Sequence, residues 1–145
     1  MEVHTRDFGV IQAQPEDIIT FAAPIYGFED LKEFIFLYQQ DDSQIVWLQS
    51  VQEQDTCFLL VQPSALLVPY HPELTRNMKE LLGEGDYWYG LIVVLKEDFT
   101  KSTVNLKSPV VVNLANRKGA QVILEGEYPV RHFLFEQGEE QNDLC

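Results

Sequence analysis

Hydrophobic and polar positions along this chain follow two rhythms. In the commoner one, short runs rich in Val, Ile, Phe, Tyr and Trp recur at 8–11, 17–21, 34–38, 45–48, 58–61, 91–95, 109–112 and 121–124. Clusters of Gly, Pro, Asp or Ser bound these runs, and the turn-like Gln14-Pro15-Glu16 separates the first two. Each run therefore predicts a strand. Several are apolar without alternation, as in Leu91-Ile92-Val93-Val94-Leu95. A strand with one wet face alternates, so unbroken runs predict strands covered on both faces. A sandwich or a strongly curved barrel supplies such cover.

The second rhythm occurs once. Between His71 and Gly83 the apolar residues Leu74, Met78, Leu81 and Leu82 fall at i, i+4, i+7 and i+8, which places them on one face of an α-helix. Pro72 suits the first helical position, Glu73 the positive end and Gly83 the stop. The stripe is expected to pack on the core, with a partner's groove as the alternative. A shorter helical turn is expected at 30–34. The predicted fold class is mainly β: a single-domain curved β-barrel-like or sandwich structure with one short α-helix. The domain is expected over residues 1–137, followed by an acidic, flexible tail over 138–145 that has no apolar pattern.

Composition narrows the setting. A chain of 145 residues, 46% of them apolar, fits one packed core and leaves little room for a second. No apolar run is long enough to cross a bilayer as a helix. The start, Met1-Glu2-Val3-His4-Thr5-Arg6-Asp7, lacks the apolar stretch of a signal peptide. A cytoplasmic location, away from membranes, is expected. Cys57, inside Thr56-Cys57-Phe58-Leu59, reads as a small buried hydrophobe. A bridge to Cys145 is formally available, but two cysteines so placed do not make a secreted scaffold.

Charge changes the picture more. The formal net charge is −13, unevenly spread. Residues 1–99 carry seventeen acids against five bases, residues 100–135 two against five, and residues 136–145 four against none. Such a surface repels phosphate backbones, so direct nucleic-acid binding is not expected. It attracts basic partners and speeds association with them, or else serves solubility alone.

Candidate chemistry is sparse. His4, His71 and His132 are scattered, without metal-ligand spacing to a Cys, Asp or Glu. Cys57 in an apolar strand should have a raised pKa, the wrong direction for a nucleophile. Glu29-Asp30 and Asp41-Asp42 read as turn and loop residues among many acids. Gly83-Glu84-Gly85-Asp86 lacks the lysine of a phosphate loop. Lys101, Lys107, Arg117, Lys118 and Arg131 could form a basic patch, but without interleaved aromatics. No enzyme activity, cofactor or metal is expected.

Several stretches, taken in order, carry a resemblance. They are Phe8-Gly9 with Glu16-Asp17-Ile18-Ile19-Thr20-Phe21, then Ile25-Tyr26-Gly27-Phe28-Glu29-Asp30, Trp47-Leu48-Gln49-Ser50-Val51 and Pro69-Tyr70-His71-Pro72-Glu73-Leu74. Thr103-Val104-Asn105-Leu106-Lys107-Ser108-Pro109 running on to Asn113, and Lys118-Gly119-Ala120-Gln121-Val122-Ile123-Leu124, complete the set. Together they resemble the FliW family of flagellar assembly factors over about residues 5–135. The family's usual glycine-isoleucine before the Gly-Phe-Glu block is Pro24-Ile25 here, and a common proline is Tyr26. The resemblance implies a curved β-structure with a short helix. It also implies two cytoplasmic partners: the C-terminal region of flagellin, and the RNA-binding translational regulator CsrA. In that scheme the two compete, and FliW freed by flagellin export antagonises CsrA allosterically, releasing flagellin translation.

The residues expected to meet these partners are chosen by type and position. Tyr70 and Trp47 are candidate aromatic anchors, with the core as the alternative for Trp47. Gln49, Asn105 and Asn113 are polar groups amid apolar strands, suited equally to satisfying backbone groups or to touching a partner. Glu53, Asp55 and Glu73 are acidic candidates for a basic partner, against a merely solvated role. A dedicated flagellin chaperone without CsrA, an enzyme of unrecognised type and a mimic that plugs the RNA groove are the rival readings.

Overall fold

The apolar runs pair largely in sequence order. The computed structural model describes residues 1–38 and 44–136. Among them β3 (Ile19–Ala23), β4 (Glu33–Leu37), β5 (Ile45–Ser50), β6 (Cys57–Val61) and β7 (Tyr87–Val94) follow β1 (Glu2–His4) and β2 (Val10–Gln12). Consecutive strands from β3 to β7 are antiparallel neighbours, as short connections favour. After β8 (Thr103–Val104) come β9 (Val110–Asn113), β10 (Lys118–Gln121) and β11 (His132–Phe133). β9 is antiparallel to both β7 and β10, and β10 lies parallel to β3. That last pairing closes seven strands, β3 to β7 with β9 and β10, into a barrel. On the edge that β9 leaves free, β7 pairs with β8, which carries β11 outward.

Side chains fill the lumen. Ile19, Phe21, Phe34, Leu48, Leu60, Val110 and Val112 are buried together, with Phe36, Phe58 and Trp88 packed against them. A barrel of this strand number is wide enough for such a core and no more. Two glycines make the room. A methyl group on Gly90 would stand 2.4 Å from the Trp88 ring, and one on Gly119 2.9 Å from the Phe21 ring. Each fully buried Phe, Leu or Ile contributes about 1.5–3 kcal/mol by leaving water.

The outer face is clad as well, which is why the strand sequences do not alternate. The β1–β2 hairpin lays Val3 and Ala13 over Ile35 and Leu37 of β4, beside Trp47. Leu74 and Leu82 cover Val111, Ala120, Val122 and Leu124. Leu66, Tyr70, Tyr128 and Leu134 pack against Val61, Leu91, Val93, Val104 and Leu106. Covered strands are as expected; Trp47 belongs to this packing, edge-on to Phe8 at 5.3 Å.

Some boundaries differ. α1 (Arg76–Leu82) starts after Pro72 and Glu73, because Thr75 caps it: Met78 N donates to Thr75 Oγ1 at 3.2 Å. A capping hydroxyl outweighs a proline suited to the first turn. Gly83 ends the helix at φ +81°, donating to the Lys79 carbonyl at 2.8 Å. The stripe is core at Leu74, Met78 and Leu82, while Leu81 stays exposed. No helical turn forms at 30–34, where β4 already begins at Glu33. β10 precedes the predicted 121–124; the chain beyond it still bonds backward, Val122 N to the Pro109 carbonyl at 3.1 Å. The tail at 138–145, Cys145 and the Asp41-Asp42 loop lie outside the described residues. Among the described residues no helix is long and apolar enough to cross a membrane.

Candidate partner-binding surface

Gln49 is fully buried on the outer side of β5, and its carboxamide is saturated. Nε2 donates to the carbonyls of Gln54 at 3.0 Å, Ser50 at 3.1 Å and Thr56 at 3.3 Å, while Oε1 accepts from Arg6 N at 3.0 Å. Ser50 Oγ accepts from the amides of Gln52 and Glu53. Together these bonds fix the β5–β6 turn, on which Glu53 and Asp55 stand exposed. No cation among the described residues pairs with either carboxylate within ion-pair distance. Arg6, bridged to Asp7 at 2.9 Å, senses Asp55 only through its field. Gln49 therefore positions the acidic turn and offers no atom to a partner.

Asn113 is likewise framework. Buried at the end of β9, it donates from Nδ2 to the Leu82 and Glu84 carbonyls, both at 3.0 Å, and accepts from Ala115 N at 2.9 Å. With Asn116, which donates to the Leu82 carbonyl at 2.9 Å, it satisfies the last carbonyl of α1, one of those a helix leaves open at its C-terminus. It anchors α1 to the barrel. Glu73 stands exposed ahead of that helix.

Tyr70 is half-buried. Its hydroxyl donates to the Leu106 carbonyl at 2.7 Å, and its ring meets Tyr128 edge-on at 5.5 Å. Burial, then the neighbouring Tyr128 and Tyr89, push this phenol well above its ordinary range. The Tyr70 side chain thus pins the segment before α1 to the β8–β9 connection. In that connection Asn105 Oδ1 accepts from Lys107 N at 3.0 Å and Ser108 N at 2.9 Å, an Asx turn. Asn105 also borders an open cleft of about 340 Å³ with Pro24, Tyr26, Ser108, Gln121 and Ile123. Gln121 spans it, accepting from Tyr26 N at 2.8 Å and donating to the Ser108 carbonyl at 3.1 Å.

The seven candidates thus fall into distinct places. Glu53 and Asp55 share one turn, Asn105 faces the cleft, Glu73 and Tyr70 lie before α1, and Gln49 and Asn113 serve as internal brackets. Sequence reasoning missed Tyr26, which is 84% exposed at the cleft. Its signal was an aromatic residue in a glycine turn. Among the described residues no group of three His, Cys, Asp or Glu side chains is placed to hold a metal. Cys57 is a buried free thiol, raised to about 11 by burial against the opposing field of Arg6.

Fold and surface define a class: a small acidic closed β-barrel, solid inside, whose exposed candidate groups lie in surface turns and before its helix. A model of the FliW protein family matches residues 2–134 of this chain. The chain belongs to the FliW family. It is 40% identical over 146 residues to the flagellar assembly factor FliW of Ruminiclostridium cellulolyticum, covering 97% of this chain and 99% of that one. The protein of the same name from Caldicellulosiruptor saccharolyticus is 38% identical over 138 residues, covering 92% and 90%. A crystal structure of the flagellar assembly factor FliW superposes with a TM-score of 0.86 at 33% identity, covering 94% of this chain and 99% of the other.

Proposed function

We propose that this protein is a cytoplasmic, non-catalytic flagellar assembly factor that works by binding two partners in turn. One is the C-terminal region of flagellin. The other is CsrA, which it engages away from the RNA groove and antagonises allosterically, so that flagellin translation is released when flagellin export frees the protein. The observation that carries the reading is the family match over residues 2–134, on a barrel whose lumen is packed with side chains. The acidic turn supports the CsrA arm. Glu53 and Asp55 are exposed, unpaired among the described residues and held on a rigid frame, which suits electrostatic steering of a basic partner.

Calorimetric titration with CsrA and, separately, with flagellin, at low and high salt, tests the reading. Saturable binding to both, weakening for CsrA as salt rises, is the expected result. Binding to flagellin alone would leave a dedicated chaperone, and binding to neither would overturn the reading. Displacement of RNA that is strictly competitive would replace allostery with a plug in the RNA groove.

A further inference from the structure

Met78 accepts a hydrogen bond through its sulfur. Thr75 N donates to Met78 Sδ at 3.4 Å, while Met78 N donates to Thr75 Oγ1 at 3.2 Å. The two bonds form a reciprocal cap, in which glutamate or glutamine ordinarily supplies the second acceptor three residues after the hydroxyl. A thioether is a weak acceptor, so the Thr75 amide is held less firmly than an oxygen would hold it. Met78 also packs, half-buried, against the cluster of Leu74, Leu82 and Val111, which Tyr70 flanks as well.

Oxidation changes that acceptor in kind. A methionine sulfoxide carries its oxygen the same number of bonds from Cα as glutamine carries Oε1. Rotation about Cγ–Sδ therefore brings the oxygen to the ordinary place of the cap's acceptor, facing the Thr75 N–H that already points at the sulfur. In most cores a sulfoxide is disruptive, because a polar group enters an apolar cluster without a partner. Here the new oxygen has a donor, and half-burial leaves the side chain partly open to an oxidant.

We propose that Met78 is a site of reversible oxidation by hydroperoxides, whose product oxygen takes over the cap from sulfur. A sulfur lone pair attacks the terminal oxygen of the peroxide, and the O–O bond breaks as the S–O bond forms. Sulfur loses two electrons and the peroxide gains them. The departing oxygen takes up the proton, so hydrogen peroxide leaves as water and an alkyl hydroperoxide as its alcohol. A dithiol acting through methionine sulfoxide reductase returns two electrons and two protons, restoring the thioether and releasing water. The site lies beside the segment that carries Glu73 and Tyr70. It is independent of the CsrA and flagellin reading and can hold if that reading fails.

The test treats ¹⁵N-labelled protein with hydrogen peroxide, following the Thr75 amide by NMR and the two methionines by peptide mass spectrometry. Met1, 57% exposed, is the internal reference for oxidant access. Met78→Leu, a volume-conserving change, removes the sulfur and keeps the helix packed. Conversion of Met78 should move the Thr75 proton downfield and slow its exchange about fivefold, the worth of one ordinary hydrogen bond. Neither change is expected in Met78→Leu, and methionine sulfoxide reductase should reverse both. Met78→Gln, which carries the same oxygen permanently, should show the slowed exchange without peroxide. A Met78 sulfur still unreacted when Met1 is fully converted would overturn the proposal. So would a Thr75 amide that stays unmoved or exchanges faster after oxidation, the same response in Met78→Leu, fast exchange in Met78→Gln, or a sulfoxide that the reductase leaves in place.

Discussion

Gln49 Nε2 donates to the Gln54 carbonyl at 3.0 Å, across the turn that presents Glu53 and Asp55. The same nitrogen reaches the Ser50 and Thr56 carbonyls, so one buried carboxamide holds three backbone acceptors. Gln49→Leu keeps the volume and removes the donors. Each buried acceptor left unmatched costs about 1–3 kcal/mol. We expect a loss in that range or somewhat above it by urea denaturation. Unchanged stability would show that the turn is held by other means.

Charge removal on the same turn should separate steering from stability. In the double variant Glu53→Gln, Asp55→Asn, both side chains are exposed, so stability should stay within about 0.5 kcal/mol. Rim charges act mainly on association rates. Stopped-flow mixing with CsrA should show a slower on-rate and a shallower salt dependence, with dissociation nearly unchanged. An unaltered on-rate would move the CsrA contact elsewhere on the acidic surface.

Asn113 and Gly85 form a matched pair. Gly85 has φ +152°, and a methyl group there would come within 2.3 Å of Asn113 Oδ1. Gly85→Ala should therefore cost about 1–3 kcal/mol through overpacking and displacement of the carboxamide. Asn113→Ala removes the donors to Leu82 and Glu84 and should destabilise by a similar amount. Because both act on one bracket, their effects should be less than additive in a double-mutant cycle. Strict additivity would mean that the two residues act separately.

The strands were legible because cladding on both faces leaves long apolar runs, and β5, β6 and β9 fall close to where those runs predict them. β1, β8 and β11 were not, since two or three residues carry no pattern of their own. The parallel closure of β10 on β3 joins residues nearly a hundred apart, and no local rhythm reports it. The bracket residues were visible only as polar interruptions. Their partners are remote: Arg6 for Gln49 is 43 residues away, and Leu82 for Asn113 is 31. Glu53, Asp55 and Glu73 were legible as exposed acids, whereas the cleft at Tyr26 required the assembled fold.

Cys57 links burial to alkaline stability. Desolvation, opposed by Arg6 and reinforced by Asp7, lifts its thiol from 9.0 to about 11. Between these values the unfolded chain releases a proton that the folded chain keeps, so the unfolded state binds fewer protons and stability falls as pH rises. The contribution is fully present below pH 9 and is lost as pH rises through about 11. Tyr70, Tyr89 and Tyr38, all raised by burial from an ordinary 10.0, add a decline in the same direction that sets in above pH 10, within the upper part of the same window. Cys57→Ala removes the thiol and should flatten the first part of this slope. Urea denaturation midpoints between pH 7 and 11 check it: the variant should start lower, because a buried side chain has been cut back, and then lose less on the way up. Parallel curves for the two proteins would assign the alkaline loss to the tyrosines alone.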